Sequence, residues 1–288
     1  MMSKGRQAIR SYEGVSVGFL TRHGKEALVQ GPLQTELGCT LVHTEAFDTD
    51  SLGTFSREIA RPGSATEAGR KKAMIAMDLT GAAVGLGSEG SFIPDPYTGM
   101  LSWNVELLVW VDQQRRLEVV GIAQGPARSF GRTVRTENDL EHLIRDADFP
   151  DHHLMIRPDD EHHPLVFKNL RDEGQLLTAF HRARNLSRKG EVFAEVDLRA
   201  YANPTRQKMI AAAASNLAKR LTSFCPKCGS VGFWVVGYRE GLPCMSCSAP
   251  TRLPVAERWA CPSCQLNEER PVSGSPNAPP ERCHFCNP

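Results

Sequence analysis

The sequence contains CPKC at 225–228, CMSC at 244–247, CPSC at 261–264 and CHFC at 283–286. Eight of the nine cysteines lie in these four pairs, and gaps of 15, 13 and 18 residues separate successive pairs. A C-x2-C turn points two thiolates to the same side, and four thiolates complete a closed tetrahedral zinc site. The spacing therefore predicts two zinc ions in a zinc-ribbon-like module.

The spacing leaves open which pairs share an ion. Sequential, nested and interleaved pairings all give two sites of four sulfurs. Because every ligand is a thiolate and no coordination position stays open, a structural role is expected for both ions. The predicted ligands are Cys225, Cys228, Cys244, Cys247, Cys261, Cys264, Cys283 and Cys286.

The cysteine pattern and the lengths of the apolar runs together indicate the cellular compartment of the protein. Disulfides belong to oxidising compartments, whereas metal-binding pairs suit a reduced one. The apolar run at 15–20 is too short for a signal sequence or a membrane span, and no later run is long enough to span a bilayer. We therefore expect a cytoplasmic protein with no membrane partner.

The 288-residue chain carries a net charge of +1, which by itself does not indicate a nucleic-acid-binding surface. Strand-like and helix-like segments alternate up to about residue 222, which predicts an α/β fold: a mixed layered sheet with flanking helices. Strands are expected at 14–20 and 82–87, and helices at 26–37 and 64–79. The predicted domains are residues 1–222 and the zinc module at 223–288.

Two polar segments near the N-terminus indicate phosphate chemistry. The sequence TRHGKE at 21–26 follows a strand and precedes a helix, so Thr21, His23 and Lys25 could bind an anion there. An ordinary solvated turn is the alternative for this segment.

An acidic loop follows, with Asp48, Asp50 and Glu58 ahead of Glu67 in the next helix. Clustered carboxylates are costly unless a cation neutralises them, and Mg²⁺ or Mn²⁺ with substrate phosphates would do so. A hydrophilic surface loop is the alternative.

Two further segments combine charged residues with strand ends. Glu89 lies between glycines in GSEGSF at 87–92, which is expected to be a turn at the end of a strand, where α/β sheets hold their sites. The segment 197–206, DLRAYANPTR, carries Arg199, Asn203 and Arg206, and arginine can clamp phosphate. An Asp–Arg pair that ties down the turn is the alternative for the second segment.

The order of these motifs resembles a bacterial family of unknown function. The shared patterns are T-x-H-G-K, D-T-D-x-x-G-T-F, S-E-G-S-F, D-x-R-A-x-x-N-P-T-R and C-x-x-C-N-P. They correspond here to 21–25, 48–55, 88–92, 197–206 and 283–288. The resemblance extends over nearly the whole chain and implies no particular activity.

The N-terminal half is also similar in layout to inosine triphosphatase-like nucleotide pyrophosphatases. Their T-x-N-x-x-K turn is similar to 21–25, with His in place of Asn and one residue fewer. Their E-N-A-x-x-K-A helix is similar to 67–73, where Glu67 and Lys72 match. Their acidic, glycine-rich turn is similar to 88–91, which places Glu89 there. This resemblance implies Mg²⁺-dependent hydrolysis with Lys25, Glu67, Lys72 and Glu89 as catalytic residues.

Two functions remain open from the sequence. The first is a Mg²⁺-dependent hydrolase of a nucleotide or another phosphorylated small molecule. The second is an adaptor without catalysis, whose zinc module binds nucleic acid or a protein partner. Basic residues near the cysteines alternate with acidic ones, so a phosphate-tracking surface is not indicated there.

Overall fold

The computed structural model describes residues 11–22, 24–47 and 63–288. These form two compact units, one of Tyr12–Ala218 and the other of Ser11 with Lys219–Pro288. The fold is mixed α/β, with two cysteine clusters in the C-terminal region, which confirms the predicted fold class. Within the described ranges, no helix combines the length and the apolar character needed to cross a bilayer.

The first sheet of the larger unit has the strand order β2-β1-β3-β4-β5. Strand β1 pairs in parallel with β2 and β3, whereas β3, β4 and β5 form an antiparallel meander. The strands are β1 (Ser16–Leu20), β2 (Thr40–Thr44), β3 (Val84–Pro94), β4 (Ser102–Asp112) and β5 (Leu117–Pro126).

Two helices connect the parallel strands. Helix α1 (Glu26–Leu37) joins β1 to β2, and α2 (Ala65–Thr80) lies between β2 and β3 in the chain. Helix α2 begins with a capping box, because the Ser64 hydroxyl accepts from the Glu67 N–H and the Glu67 carboxylate accepts from the Ser64 N–H. The helix ends at Gly81, which has a left-handed φ of 70°.

Strand β3 runs through the segment that was expected to turn at 87–92. Gly85 and Gly87 serve close packing of α2 rather than chain reversal. A Cβ at Gly85 would lie 2.2 Å from the Ala73 carbonyl oxygen, and one at Gly87 would lie 1.8 Å from the Gly69 carbonyl oxygen. Helix α2 can therefore contact the sheet backbone directly, and Glu89 lies within a long strand.

The second sheet has the order β6-β9-β7-β8 and is antiparallel throughout. Helices α3 (Glu137–Ala147) and α4 (Glu173–Leu186) contribute Leu140, Leu143 and Phe180 to its core. Helix α5 (Pro204–Leu221) follows. The strands are β6 (Gly131–Val134), β7 (Leu154–Pro158), β8 (Phe167–Leu170) and β9 (Val192–Val196).

The smaller unit contains an antiparallel sheet of β10 (Trp234–Glu240), β11 (Pro254–Ala260) and β12 (Asn267–Pro271). Its apolar core is small: buried Phe233 packs against Trp259, with ring centroids 5.5 Å apart. So small a core is typical of modules that a bound metal stabilises.

Candidate functional site

The eight paired cysteines form two clusters of four, and the pairs interleave. The first and third pairs form one cluster, and the second and fourth pairs form the other. In the first cluster the Sγ atoms of Cys225 and Cys264 are 3.7 Å apart, and so are those of Cys228 and Cys261. Of the three pairings that the sequence allowed, the structure shows the interleaved one.

The geometry of both clusters fits a tetrahedral ion. In the second cluster the Cys247 and Cys283 sulfurs are 3.6 Å apart, and those of Cys244 and Cys286 are 3.9 Å apart. Four sulfurs about 2.3 Å from a zinc ion would be about 3.8 Å from one another. No disulfide joins the cysteines. Each cluster could therefore hold one zinc ion.

Backbone amides support the thiolate form of the ligands. The Ser246 N–H donates to Cys244 Sγ at 3.5 Å, and the Cys264 N–H donates to Cys261 Sγ at 3.5 Å. The N–H groups of Cys247 and Ser246 lower the pKa of Cys244 to about 7. Such hydrogen bonds to the sulfurs orient and tune metal ligands.

The larger unit holds a separate cluster of buried charges around β3. Lys72 on α2 forms an ion pair with Glu89 on β3, and the Glu89 side chain is only 4% exposed. Lys25, immediately before α1, donates from Nζ to the Ser88 hydroxyl at 3.1 Å. Two lysines, one on α2 and one immediately before α1, thus reach adjacent residues of one strand.

A second ion pair completes this charge cluster. Arg206 on α5 donates from Nε to Glu106 Oε1 on β4 at 2.7 Å, and both side chains are 1% exposed. Asn104 Nδ2 also donates to Glu106 Oε1, at 3.0 Å. Asn104 Oδ1 is buried and has no hydrogen-bond partner among the described residues.

Gly90 allows the two ion pairs to lie side by side. A Cβ at this position would lie 2.3 Å from Glu106 Oε1 and 2.6 Å from Arg206 Nη2. A side chain there would displace one of these groups, so the glycine is required by the close approach of the Glu106–Arg206 pair to β3.

Burial lowers the pKa of Lys25 from 10.5 to about 7. The positive charges of Arg206 and Lys72 act in the same direction, and the negative charges of Glu106 and Glu89 oppose it. The cluster thus holds three basic groups and two carboxylates. Both carboxylates are paired with the other two cations, and the Lys25 ammonium donates instead to the neutral Ser88 hydroxyl.

The comparisons with known proteins give a family but no activity. A family model described as a domain of unknown function, DUF6671, matches residues 72–288. The chain belongs to the DUF6671 family. Neither the curated proteins nor the solved structures gave a match.

The DUF6671 match is consistent with the resemblance to an uncharacterised family. It covers all eight paired cysteines together with Lys72, Glu89, Glu106 and Arg206. Lys25 and Thr21 lie ahead of the matched residues. The resemblance to nucleotide pyrophosphatases stays a prediction.

The charge cluster contains four of the predicted site residues: Lys25, Lys72, Glu89 and Arg206. Glu67 is placed differently, because its exposed carboxylate caps α2. The predicted residues His23, Asp48, Asp50 and Glu58 lie outside the described ranges.

The remaining predicted residues support the backbone around the cluster. Thr21 is buried, and its carbonyl oxygen lies 2.7 Å from His43 Nε2. Asn203 is buried, and its Oδ1 accepts from the Arg206 N–H at 2.9 Å. Arg199 pairs with buried Asp197, with Nε 3.0 Å from Oδ1, which is the structural alternative considered for that turn.

Three members of the cluster were not predicted as site residues: Ser88, Asn104 and Glu106. Asn104 and Glu106 alternate along β4, so they share one face of the strand. Two polar residues on one face of an otherwise apolar strand, NVELLVWV, were the signal that could have identified them.

Proposed function

We propose that the charge cluster is the active site of a hydrolase that acts on a phosphorylated small molecule, with a nucleotide as the leading candidate. The observation that supports it is the composition of the cluster: two buried basic groups, Lys25 and Arg206, and the largely buried Lys72 face only two carboxylates, and both carboxylates are already paired. Isolated buried cations are costly, and an anion that enters the cluster would relieve this cost.

In this proposal the basic residues bind the substrate. Lys25, Lys72 and Arg206 neutralise phosphate charge, which is the main task of a protein in phosphoryl transfer. Water attacks phosphorus, the bond to the leaving oxygen breaks, and the leaving group keeps the bonding electrons. The water's proton passes through a carboxylate to solvent. Asn104 Oδ1, which is buried and has no hydrogen-bond partner among the described residues, offers an acceptor for water or a substrate hydroxyl.

The proposal also includes a Mg²⁺ or Mn²⁺ ion. Glu89 would bind the ion and orient water once phosphate competes for Lys72. Glu67 and the carboxylates of Asp48, Asp50 and Glu58 are the other candidate ligands. The zinc ions are proposed to be structural, and residues 1–222 and 223–288 to be the catalytic and zinc-binding domains.

The test measures phosphate and pyrophosphate release from standard and deaminated nucleoside triphosphates, with Mg²⁺ or Mn²⁺ and zinc-replete protein. Glu89→Gln is expected to abolish release while the protein stays folded. Glu118→Gln is the matched control, because Glu118 pairs with Arg70 in the same unit at 2.5 Å, away from this cluster. A fully active Glu89→Gln protein would remove the site assignment.

One observation favours the adaptor as a second candidate. Met245 and Phe285, from the two cysteine pairs of the second cluster, are 63% and 66% exposed. Apolar side chains beside a rigid metal site suit contact with a protein partner. Nearby arginines are engaged by carboxylates, as in Arg239–Glu269 and Arg270–Glu268, which disfavours nucleic acid.

The adaptor is tested by cross-linking and co-purification of wild-type protein and of Met245→Ser/Phe285→Ser, with zinc content as the control for folding. A partner that the wild type retains and the variant loses would support it. Strongly salt-dependent binding to nucleic acid would instead point to phosphate contacts.

A further inference from the structure

A cavity of about 910 Å³ lies on the four-stranded sheet of the larger unit. It is lined by β8, by the following residue Arg171, by the part of α4 from Gly174 to Arg182, and by His153 and Tyr201. None of the residues named in the charge cluster lines this cleft. Its size matches the clefts that hold nucleotide-sized ligands.

The charge of the cleft has one sign. Lys168, Arg171 and Arg182 line it, and none of its lining residues, all within the described ranges, is acidic. The Arg182 guanidinium lies 5.4 Å from the centroid of the Phe167 ring. Arginine at such a position offers a planar set of donors to a phosphate and is steadied by the aromatic face.

The part of the cleft formed by Asn169 and Tyr201 is held in place by hydrogen bonds. Asn169 has a left-handed φ of 62°, and its Oδ1 accepts from Arg199 Nη2 at 2.9 Å and from the Tyr201 hydroxyl. The Arg199 guanidinium lies 5.0 Å from the Tyr201 ring centroid and is itself paired with Asp197. The Tyr201 ring is thus positioned before any ligand arrives.

His153 adds an unused polar atom. Its Nδ1 is buried and has no hydrogen-bond partner among the described residues. Burial lowers the pKa of His153, so the ring is neutral at neutral pH. A neutral imidazole nitrogen can donate to or accept from a ligand, depending on its tautomer.

We propose that this cleft binds a nucleoside phosphate, with the phosphate at Arg171 and Arg182 and the base near Phe167 and Tyr201. The site is separate from the proposed hydrolytic site and does not depend on it. Basic lining residues without acidic ones favour a phosphate group in the ligand. The two aromatic side chains in the same cleft favour a flat ring. A free nucleotide and a nucleotide within a single strand share this chemistry.

The experiment is isothermal titration of zinc-loaded, full-length protein with AMP, adenosine, ribose 5-phosphate and a short single-stranded oligoadenylate. AMP is expected to bind more tightly than adenosine, which lacks the phosphate, and more tightly than ribose 5-phosphate, which lacks the base. A preference for the oligoadenylate over AMP would identify a strand as the source of the ligand, and the reverse a free nucleotide.

The variant Arg171→Gln/Arg182→Gln should weaken AMP binding by at least about tenfold, the effect of losing one charge-assisted hydrogen bond. Both side chains are exposed, so the fold should be kept. Arg184→Gln, on the same helix but outside the cleft, is the matched control and should bind as wild type.

Three outcomes would overturn the proposal: no AMP binding by wild type, undiminished binding by the double variant, or an equal loss in the Arg184→Gln control. The Arg171→Gln/Arg182→Gln variant changes no residue of the charge cluster, so its loss of AMP binding reports on the cleft alone. A failure of hydrolysis therefore stays distinguishable from a failure of this site.

Discussion

The cysteine clusters and the charge cluster gather reactive groups by different means. Each cysteine cluster uses a single residue type, supplied as two pairs by a module with a very small core. The charge cluster uses both signs of charge, taken from α2, β3, β4, α5 and the residue before α1, and the larger unit buries it. The first arrangement calls for an ion to hold it, whereas packing holds the second. Removing the organising group should therefore have different consequences in the two regions.

The largest effect is expected from loss of metal. Structural zinc contributes about 10–16 kcal/mol of apparent binding energy in small zinc modules, so chelation should unfold Lys219–Pro288. The larger unit should keep its circular dichroism signal and its proteolytic resistance. Cooperative unfolding of both units at one chelator concentration would contradict this separation.

The interleaved pairing predicts which double variants lose both ions. Cys225→Ser/Cys261→Ser damages one cluster and should retain about one zinc ion per chain. Cys225→Ser/Cys244→Ser damages both clusters and should retain none. Zinc measured by mass spectrometry of the native protein distinguishes them, and sequential pairing would give the opposite result.

The next largest effect is expected in the charge cluster. Arg206→Met would leave Glu106 buried without its partner, which costs about 3–5 kcal/mol of unfolding free energy. Urea denaturation of the zinc-replete protein would measure this. Arg206→Met/Glu106→Gln should recover part of the loss, because it removes the unpaired charge. An unchanged midpoint for Arg206→Met would show that packing does not depend on the pair.

A smaller effect is expected from Lys25, whose titration should make the free energy of unfolding depend on pH. Its pKa is about 7 when folded and 10.5 ordinarily, so between these values the unfolded chain holds a proton that the folded chain has lost. Stability should therefore rise with pH across this window, by up to about 1.4 kcal/mol per unit, with no such slope below pH 7.

Lys25→Met should remove this slope and be more stable than wild type at pH 7 and below. Lys208→Met, at an exposed position on α5, is the matched control. Urea titrations at several pH values would measure the difference between the two variants. Equal pH slopes in wild type and Lys25→Met would contradict the lowered pKa.

The smallest effect is expected for Glu67→Gln. Glutamine also completes a capping box, so the melting temperature should change little. Hydrolysis should also persist, because the Glu67 carboxylate is engaged in capping α2. A loss of hydrolysis without a loss of stability would instead support its predicted role as a metal ligand.

The two regions also differ in how far the sequence predicts them. The sequence was sufficient to predict metal binding by the cysteines, because four C-x2-C pairs at this spacing are typical of zinc modules. Their pairing was open, since it depends on how the strands between the pairs fold. Helix α1 was predicted at its observed bounds, and the start and end of α2 were predicted from Ser64 and Gly81.

The charge cluster was predicted only in part. Lys25, Lys72, Glu89 and Arg206 were marked as site residues because they lie in polar motifs, and their roles remain predictions. Glu106 lies within an apolar strand and was missed, because its importance comes from Arg206, which is 100 residues away in the chain. The expected turn at Glu89 was wrong, because a chain reversal and the close approach of neighbouring groups to a strand, as at Gly87 and Gly90, both require glycine.

The interleaving of the cysteine pairs makes the order of synthesis significant. The first two pairs leave the ribosome before the third, so a non-native site of Cys225, Cys228, Cys244 and Cys247 can form early. Its loop from Cys228 to Cys244 spans 16 residues, against 33 from Cys228 to Cys261. Doubling a loop costs only about 0.6 kcal/mol, so the native loop is nearly as easy to close as that of the early competitor, which the native arrangement must displace. Zinc supplied during translation could therefore trap the chain, whereas zinc supplied afterwards would meet all four pairs at once.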